Sequence, residues 1–368
     1  MNNETNEKQT HDIKKELNIH VNHINPDGKR SMINRILVSI VILLVVIPCV
    51  IIGDYLYFVF IFAIAMISCH EIIQAPQSLV HRYKNIIYVF AYIMMISIIY
   101  WIFIKNNLRI YDDLKLIGQE STFVFKLSNG FTVPQISLTG FFVCIGFFFF
   151  MVIIDKNFSI NDAFYFISML FIVSMGFQCV LFLRYYPFVD FEAIKGANNE
   201  LINSNLFKYF QSAELLIYIF LAVCLNDVGA YFVGVFFGEH HMTPRISPKK
   251  TWEGFIGGIL ISFIFSFAFA IILDFLNLPL LSFLDKSHWY NVLILSLVMP
   301  ITGTLGDLMF SCVKRNFGIK DFGTILKSHG GVLDRIDSLV FSTIAASLLI
   351  VVMSHNWVIL IWLKVLQF

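Results

Sequence analysis

Residues 213 to 236 read AELLIYIFLAVCLNDVGAYFVGVF, an apolar run long enough to cross the roughly 30 Å of a bilayer's hydrocarbon as a helix. Near its middle lies Asn226-Asp227. An ionised carboxylate at that depth is costly unless it meets a cation, a metal ion or a watery cavity. The run therefore reads as a membrane span with a task beyond spanning. Gly234 and Gly238, four residues apart, are also a small-residue pattern for close helix packing.

The rest of the chain agrees. It has 368 residues, is 58% hydrophobic and only 14% charged, well below the roughly 25% charge of a soluble domain. Further apolar runs cover Ile36 to Ile52, Tyr55 to Ile73, Ile86 to Ile104, Val133 to Ile154, Ala163 to Leu183, Phe255 to Leu273, Trp289 to Phe310 and Leu339 to Val352. The expectation is an all-α, polytopic integral membrane protein with about nine transmembrane helices of near 20 residues each. The last run can also be read as continuing through Trp357 to Leu366.

Lys and Arg are retained on the cytoplasmic side of a membrane. Lys14, Lys15, Lys29, Arg30 and Arg35 precede the first run, which places the N-terminus in the cytosol. Alternation then puts Arg82 and Lys84, Arg245 to Lys250, and Lys314 to Arg335 on the same side. The chain divides into a polar cytosolic tail (1–34), a first set of membrane helices (35–210) and a region richer in polar motifs (211–368). The net charge of +1 gives no reason to propose nucleic acid as a partner. The six Cys form neither a C-x-x-C nor a Cys/His metal spacing.

Two more segments carry chemistry. Ser247-Pro248-Lys249-Lys250-Thr251-Trp252-Glu253-Gly254 reads as a helix start, with Ser247 as N-cap, Pro248 as first helical residue and amides free to meet phosphate. A basic membrane flank explains its lysines equally well. Glu253 adds nothing to such an anchor. The densest segment holds Asp307, Ser311, Lys314, Arg315, Lys320 and Asp321, then His329-Gly330-Gly331 and Asp334-Arg335-Ile336-Asp337. On a helix, Asp307, Ser311, Lys314 and Arg315 share one broad face, and Asp334 and Asp337 another. Acids returning beside bases suit a divalent cation together with phosphoryl groups. An ion or proton pathway is the rival reading.

Ser311-x-x-Lys314-Arg315, Lys320-Asp321-Phe322-Gly323 and His329-Gly330-Gly331-x-x-Asp334-Arg335-x-Asp337 together resemble the signature of the phosphatidate cytidylyltransferase family. The block from Ser247 to Gly258 is similar to that family's other recurrent stretch, and Asn226-Asp227 followed by Ala230-Tyr231 looks like its eukaryotic branch. Lys327-Ser328 stands where family members commonly have Pro-Gly, which alters the turn before His329.

The resemblance implies transfer of CMP from CTP to phosphatidate, giving CDP-diacylglycerol and pyrophosphate. Asp307 and Asp334 would organise Mg2+, with Ser311, Lys314, Arg315 and Asp337 as further catalytic positions. Asp227, Ser247, Lys249, Lys250, Glu253, Lys320, Asp321 and His329 would line the substrate pocket. It also implies a location in the endoplasmic reticulum membrane with the motif loops cytosolic, and admits a homodimer. Another lipid phosphate as acceptor, a transporter and a non-enzymatic scaffold are the alternatives.

Overall fold

A computed structural model describes residues 44–78, 83–99, 133–195, 205–276, 278–326 and 330–354. All fall within the compact unit Leu44–Phe368. In hydrocarbon each backbone N–H and C=O must find an internal partner, and the apolar runs do so as helices. After a helical stretch over 44–52 come α1 (Asp54–Gln74), α2 (Asn85–Ile99), α3 (Val133–Ile154), α4 (Ile160–Lys195), α5 (Asn205–Phe237), α6 (Trp252–Phe275), α7 (Trp289–Asn316) and α8 (Leu333–Ser354). Phe142, Phe150, Ile153, Phe265 and Leu348 each leave more than half of their surface uncovered. Apolar exposure on that scale suits lipid, not water.

The expected count of about nine spans is met in part. Among the described residues, six helices are long and apolar enough to cross a membrane: Leu56–Gln77, Ile160–Arg184, Ala213–Phe237, Trp252–Phe275, Trp289–Asn316 and Leu333–Ser354. The run from Ile86 is an apolar helix described as far as Ile99, and the run from Val133 forms α3, apolar over Thr139–Ile154. Most of the first run, and the stretch from Trp357 to Leu366, lie outside the described residues.

Helix α5 packs most extensively against α6. Gly258 permits the approach, since a Cβ there would stand 2.7 Å from the Asn226 carbonyl oxygen and 2.9 Å from Ala230 Cβ. Gly234, one of the two glycines read as a packing pattern, faces the same seam, where a Cβ would stand 3.1 Å from Thr251 Oγ1 and 3.7 Å from Gly254 Cα. A second seam joins α7 to α8, where Ser342 Oγ donates to the Met299 carbonyl at 3.0 Å. Helix α4 ties the two halves together, its Tyr165 hydroxyl donating to the Ile72 carbonyl at 3.0 Å and its ring meeting Phe317 edge-on.

Two charges in the first half are fully buried. Arg184 donates from Nε to the Val50 carbonyl at 2.8 Å, and its guanidinium also reaches the Ile51 carbonyl. A cation thus sits at the C-terminal end of the helical stretch 44–52, where carbonyls lack helical partners. The other is Glu71, near the opposite end of the bundle.

Between α5 and α6 the chain forms an antiparallel hairpin of β1 (His241–Thr243) and β2 (Ser247–Thr251). The expected helix start at Ser247-Pro248 is therefore corrected. Ser247 opens a strand opposite Thr243, and α6 begins at Trp252 with Thr251 as its N-cap, the Thr251 hydroxyl accepting from Gly254 N at 3.1 Å. Ser-Pro suits a helix start locally, but a two-stranded ribbon tolerates a proline whose missing N–H faces outward. Strand pairing decides the matter.

Candidate active site

The hairpin, the C-terminal parts of α5 and α7 and the N-terminal turns of α6 and α8 meet at one end of the bundle. Lys250 Nζ, from β2, stands 2.6 Å from Asp307 Oδ2, from α7. Ser311, one turn further along α7, donates to Asp307 Oδ1 at 3.3 Å. Beside this pair lies a cavity of about 240 Å³ whose walls include Asp227, Lys249, Lys250, Thr304, Asp307, Tyr231 and Phe255. Charged and apolar side chains share its wall. Asp227 lies within electrostatic reach of Asp307, Lys250 and Arg335. Asn226 faces α7, donating from Nδ2 to Thr304 Oγ1 at 2.9 Å.

The shared face expected for Asp307, Ser311, Lys314 and Arg315 divides in two. Successive helical residues are turned by about 100°, so neighbours such as Lys314 and Arg315 diverge. Lys314 turns inward, donating to Asp334 Oδ1 at 2.9 Å and standing 3.8 Å from Asp337 Oδ2. Arg315 turns to the hairpin, where Nε donates to the Ile246 carbonyl at 3.2 Å. It bolts the turn of the ribbon to the end of α7.

Asp334 is already fully engaged. Besides Lys314 on Oδ1, its Oδ2 accepts from Phe322 N at 2.8 Å and Gly331 N at 2.9 Å. That carboxylate fixes the loop between α7 and α8. Gly330 in that loop has φ of 80°, a left-handed conformation that suits glycine. Asp337 lies one turn on from Asp334 along α8 and faces Lys314 and Asp307. The approach is close, because a Cβ on Gly306 would stand 2.9 Å from the Asp337 carbonyl oxygen.

Glu253 does not line the cavity. It accepts from the Glu239 and His240 amides and from His240 Nδ1 at 2.6 Å, closing the base of the hairpin. That carboxylate raises the His240 pKa above the usual imidazole value. Ser247 likewise sits on the far strand end, outside the cavity wall. Lys320 and Asp321 lie exposed in the loop after α7. His329, with Lys327 and Ser328, lies outside the described residues.

One residue of this assembly escaped the sequence reading. Glu71, near the end of α1 and 1% exposed, accepts from Val332 N at 2.9 Å and Leu333 N at 2.7 Å. The signal available for it was a single acid inside an otherwise apolar run.

Among the described residues no three His, Cys, Asp or Glu are grouped closely enough to hold a metal ion by themselves. Mg2+ commonly takes only one or two protein carboxylates and completes its shell with water and phosphate. Asp307, with Asp337 within electrostatic reach across the α7–α8 seam, could hold an ion in that way.

The model of the Cytidylyltransferase family matches residues 33–353. The chain belongs to that family. Within the Cytidylyltransferase family it is 43% identical over 141 residues to a phosphatidate cytidylyltransferase of Staphylococcus haemolyticus, covering 37% of this chain and 50% of that one. It is 44% identical over 128 residues to a phosphatidate cytidylyltransferase of Mycobacterium leprae, covering 35% and 38%. The aligned parts span half or less of the length of these relatives. Both are bacterial, so the expected placement in the eukaryotic branch is corrected: these relatives are bacterial, not specifically eukaryotic-like.

Proposed function

We propose that the protein transfers CMP from CTP to phosphatidate, releasing pyrophosphate and leaving CDP-diacylglycerol in the bilayer. The observation that carries this reading is the Lys250–Asp307 pair beside a cavity walled by both charged and apolar groups. Polyanionic headgroups need the first kind of wall, and acyl chains the second.

A phosphatidate phosphate oxygen attacks the α-phosphorus of CTP, and the bond from that phosphorus to the bridging oxygen of pyrophosphate breaks. No covalent protein nucleophile is required, because the acceptor already carries a competent oxyanion. Lys249 and Lys250 offset the repulsion between two anionic substrates, while Lys250 exchanges its Asp307 partner for a phosphoryl oxygen. Asp307 is the proposed holder of Mg2+ with Asp337 in place of the expected Asp334, whose oxygens accept from Lys314 Nζ, Phe322 N and Gly331 N, and Ser311 keeps the Asp307 carboxylate oriented. When bound, the ion supplies charge stabilisation at the reacting phosphoryl and leaving oxygens. Asp334 serves by holding Lys314 and the loop start. Arg315 holds the hairpin in place over α7.

We place the hairpin and motif loops on the cytosolic side, where CTP is dissolved. The endoplasmic reticulum assignment rested on the eukaryotic-like motif alone, so the bilayer is left general. A homodimer is open to test by cross-linking in native membranes.

The test incubates purified protein with CTP, phosphatidate and Mg2+ and measures CDP-lipid and pyrophosphate together. An EDTA control and an Asp307→Ala variant accompany it. Equal amounts of both products, lost in both controls, support the reading. Full activity of Asp307→Ala sinks it. A panel of other lipid phosphates separates phosphatidate from alternative acceptors.

A further inference from the structure

We infer that Glu71 is a positioning residue for the reaction proposed above: from α1, outside the motif region, it sets the register of the turn that carries Asp334 and Asp337. This inference rests on that reading for its catalytic part and on geometry alone for its structural part.

The first amides of a helix have no partner within it. At the start of α8, Glu71 accepts from Val332 N at 2.9 Å and from Leu333 N at 2.7 Å, one amide on each carboxylate oxygen. Asp334 takes the preceding amide, Gly331 N, at 2.9 Å. Three successive N–H groups are thus shared between two carboxylates, one local and one brought from α1. Two of these three amides, Val332 N and Leu333 N, are fixed from outside the helix.

The side chain of Glu71 also fills the space beneath the loop. A Cβ on Gly331 would stand 2.6 Å from either of its oxygens, and one on Gly323 would collide with Oε1. Gly323 follows Phe322, whose amide donates to Asp334 Oδ2. Glu71 therefore touches both ends of the segment that Asp334 closes. A shift of its carboxylate moves Leu333, Asp334 and, one turn later, Asp337. Displacements of about 1 Å remote from the reacting atoms can lower turnover by about 100-fold.

The chemistry predicts what substitution does. Glu71→Gln keeps the shape but replaces one acceptor with an NH2 group, which faces a backbone N–H and cannot accept from it. Glu71→Asp keeps both acceptors but withdraws them by one methylene. Each variant retains a polar group at the buried position.

The experiment compares wild type, Glu71→Gln and Glu71→Asp, purified in detergent, with two readouts. The first is the rate of tryptic nicking after Lys320, which is exposed in the loop that Glu71 underlies. The second is kcat and KM for CTP. The expected result is nicking faster by about tenfold in Glu71→Gln, a kcat lower by about 10- to 100-fold, and a KM for CTP changed less than about threefold, with Glu71→Asp intermediate. Wild-type nicking in both variants overturns the clamp. Faster nicking with wild-type kcat, or loss of folded protein in both variants, overturns the positioning role. If wild type forms no CDP-lipid while Glu71→Gln is nicked faster, the reaction assignment fails and the clamp stands.

Discussion

Lys250 Nζ and Asp307 Oδ2 are joined at 2.6 Å although one side chain rises from the hairpin and the other from a membrane helix. Their side chains are 26% and 31% exposed. An ion pair so open to solvent stabilises a fold by about 1 kcal/mol or less. Stability is thus a weak reason for it, and a poised ligand site a stronger one. Lys250→Met should raise KM for CTP by about tenfold, equivalent to about 1.4 kcal/mol, with little change in melting temperature. Steady-state kinetics beside a thermal melt in detergent checks both halves.

Lys314 behaves differently, because its cation is buried against Asp334 and Asp337. Removing one member of a buried ionic cluster leaves the others uncompensated, at a cost of about 3–5 kcal/mol. Lys314→Met should therefore lose folded protein, as a lower midpoint in denaturant titration in mixed micelles. Wild-type stability in that variant would show that water already reaches Asp334.

The hairpin should loosen as pH rises. His240 gains a carboxylate partner on folding, so its pKa is raised above the ordinary imidazole value. A group with a raised folded pKa contributes stability that is complete below its unfolded pKa and is lost as pH climbs through the folded value. Amide hydrogen exchange of residues 241–251, corrected for intrinsic rates, should speed up from about pH 6 to above the His240 transition. His240→Ala should flatten that dependence.

Thr251 supplies the cap that begins α6. Thr251→Ala should lower stability by about 1 kcal/mol, as expected for loss of an N-cap hydroxyl. Gly258→Leu should cost more, since even a Cβ there meets the Asn226 carbonyl at 2.7 Å. Ranking the two melting temperatures is enough to test the seam.

Much of this was readable from residue order, and each exception has its own cause. Hydropathy located the six long spans, and the basic flanks grouped the motif-bearing ends that Lys250–Asp307 and Arg315–Ile246 join. Two further expected runs are apolar helices, described over Asn85–Ile99 and Thr139–Ile154. Ser247-Pro248 was misread because a local helix-start signal yields to pairing with Thr243. Glu71 was invisible for a further reason: its partners are backbone amides 261 and 262 positions away, and amides leave no mark in a sequence.

That separation has a bearing on biosynthesis. The carboxylate of Glu71 leaves the ribosome long before Val332 and Leu333 exist, so the early helices enter the bilayer holding an acid with neither of its final amides in place. Until α8 arrives, that end of α1 must stay wetted, and a chain truncated ahead of residue 332 would keep an unsealed polar notch in the membrane.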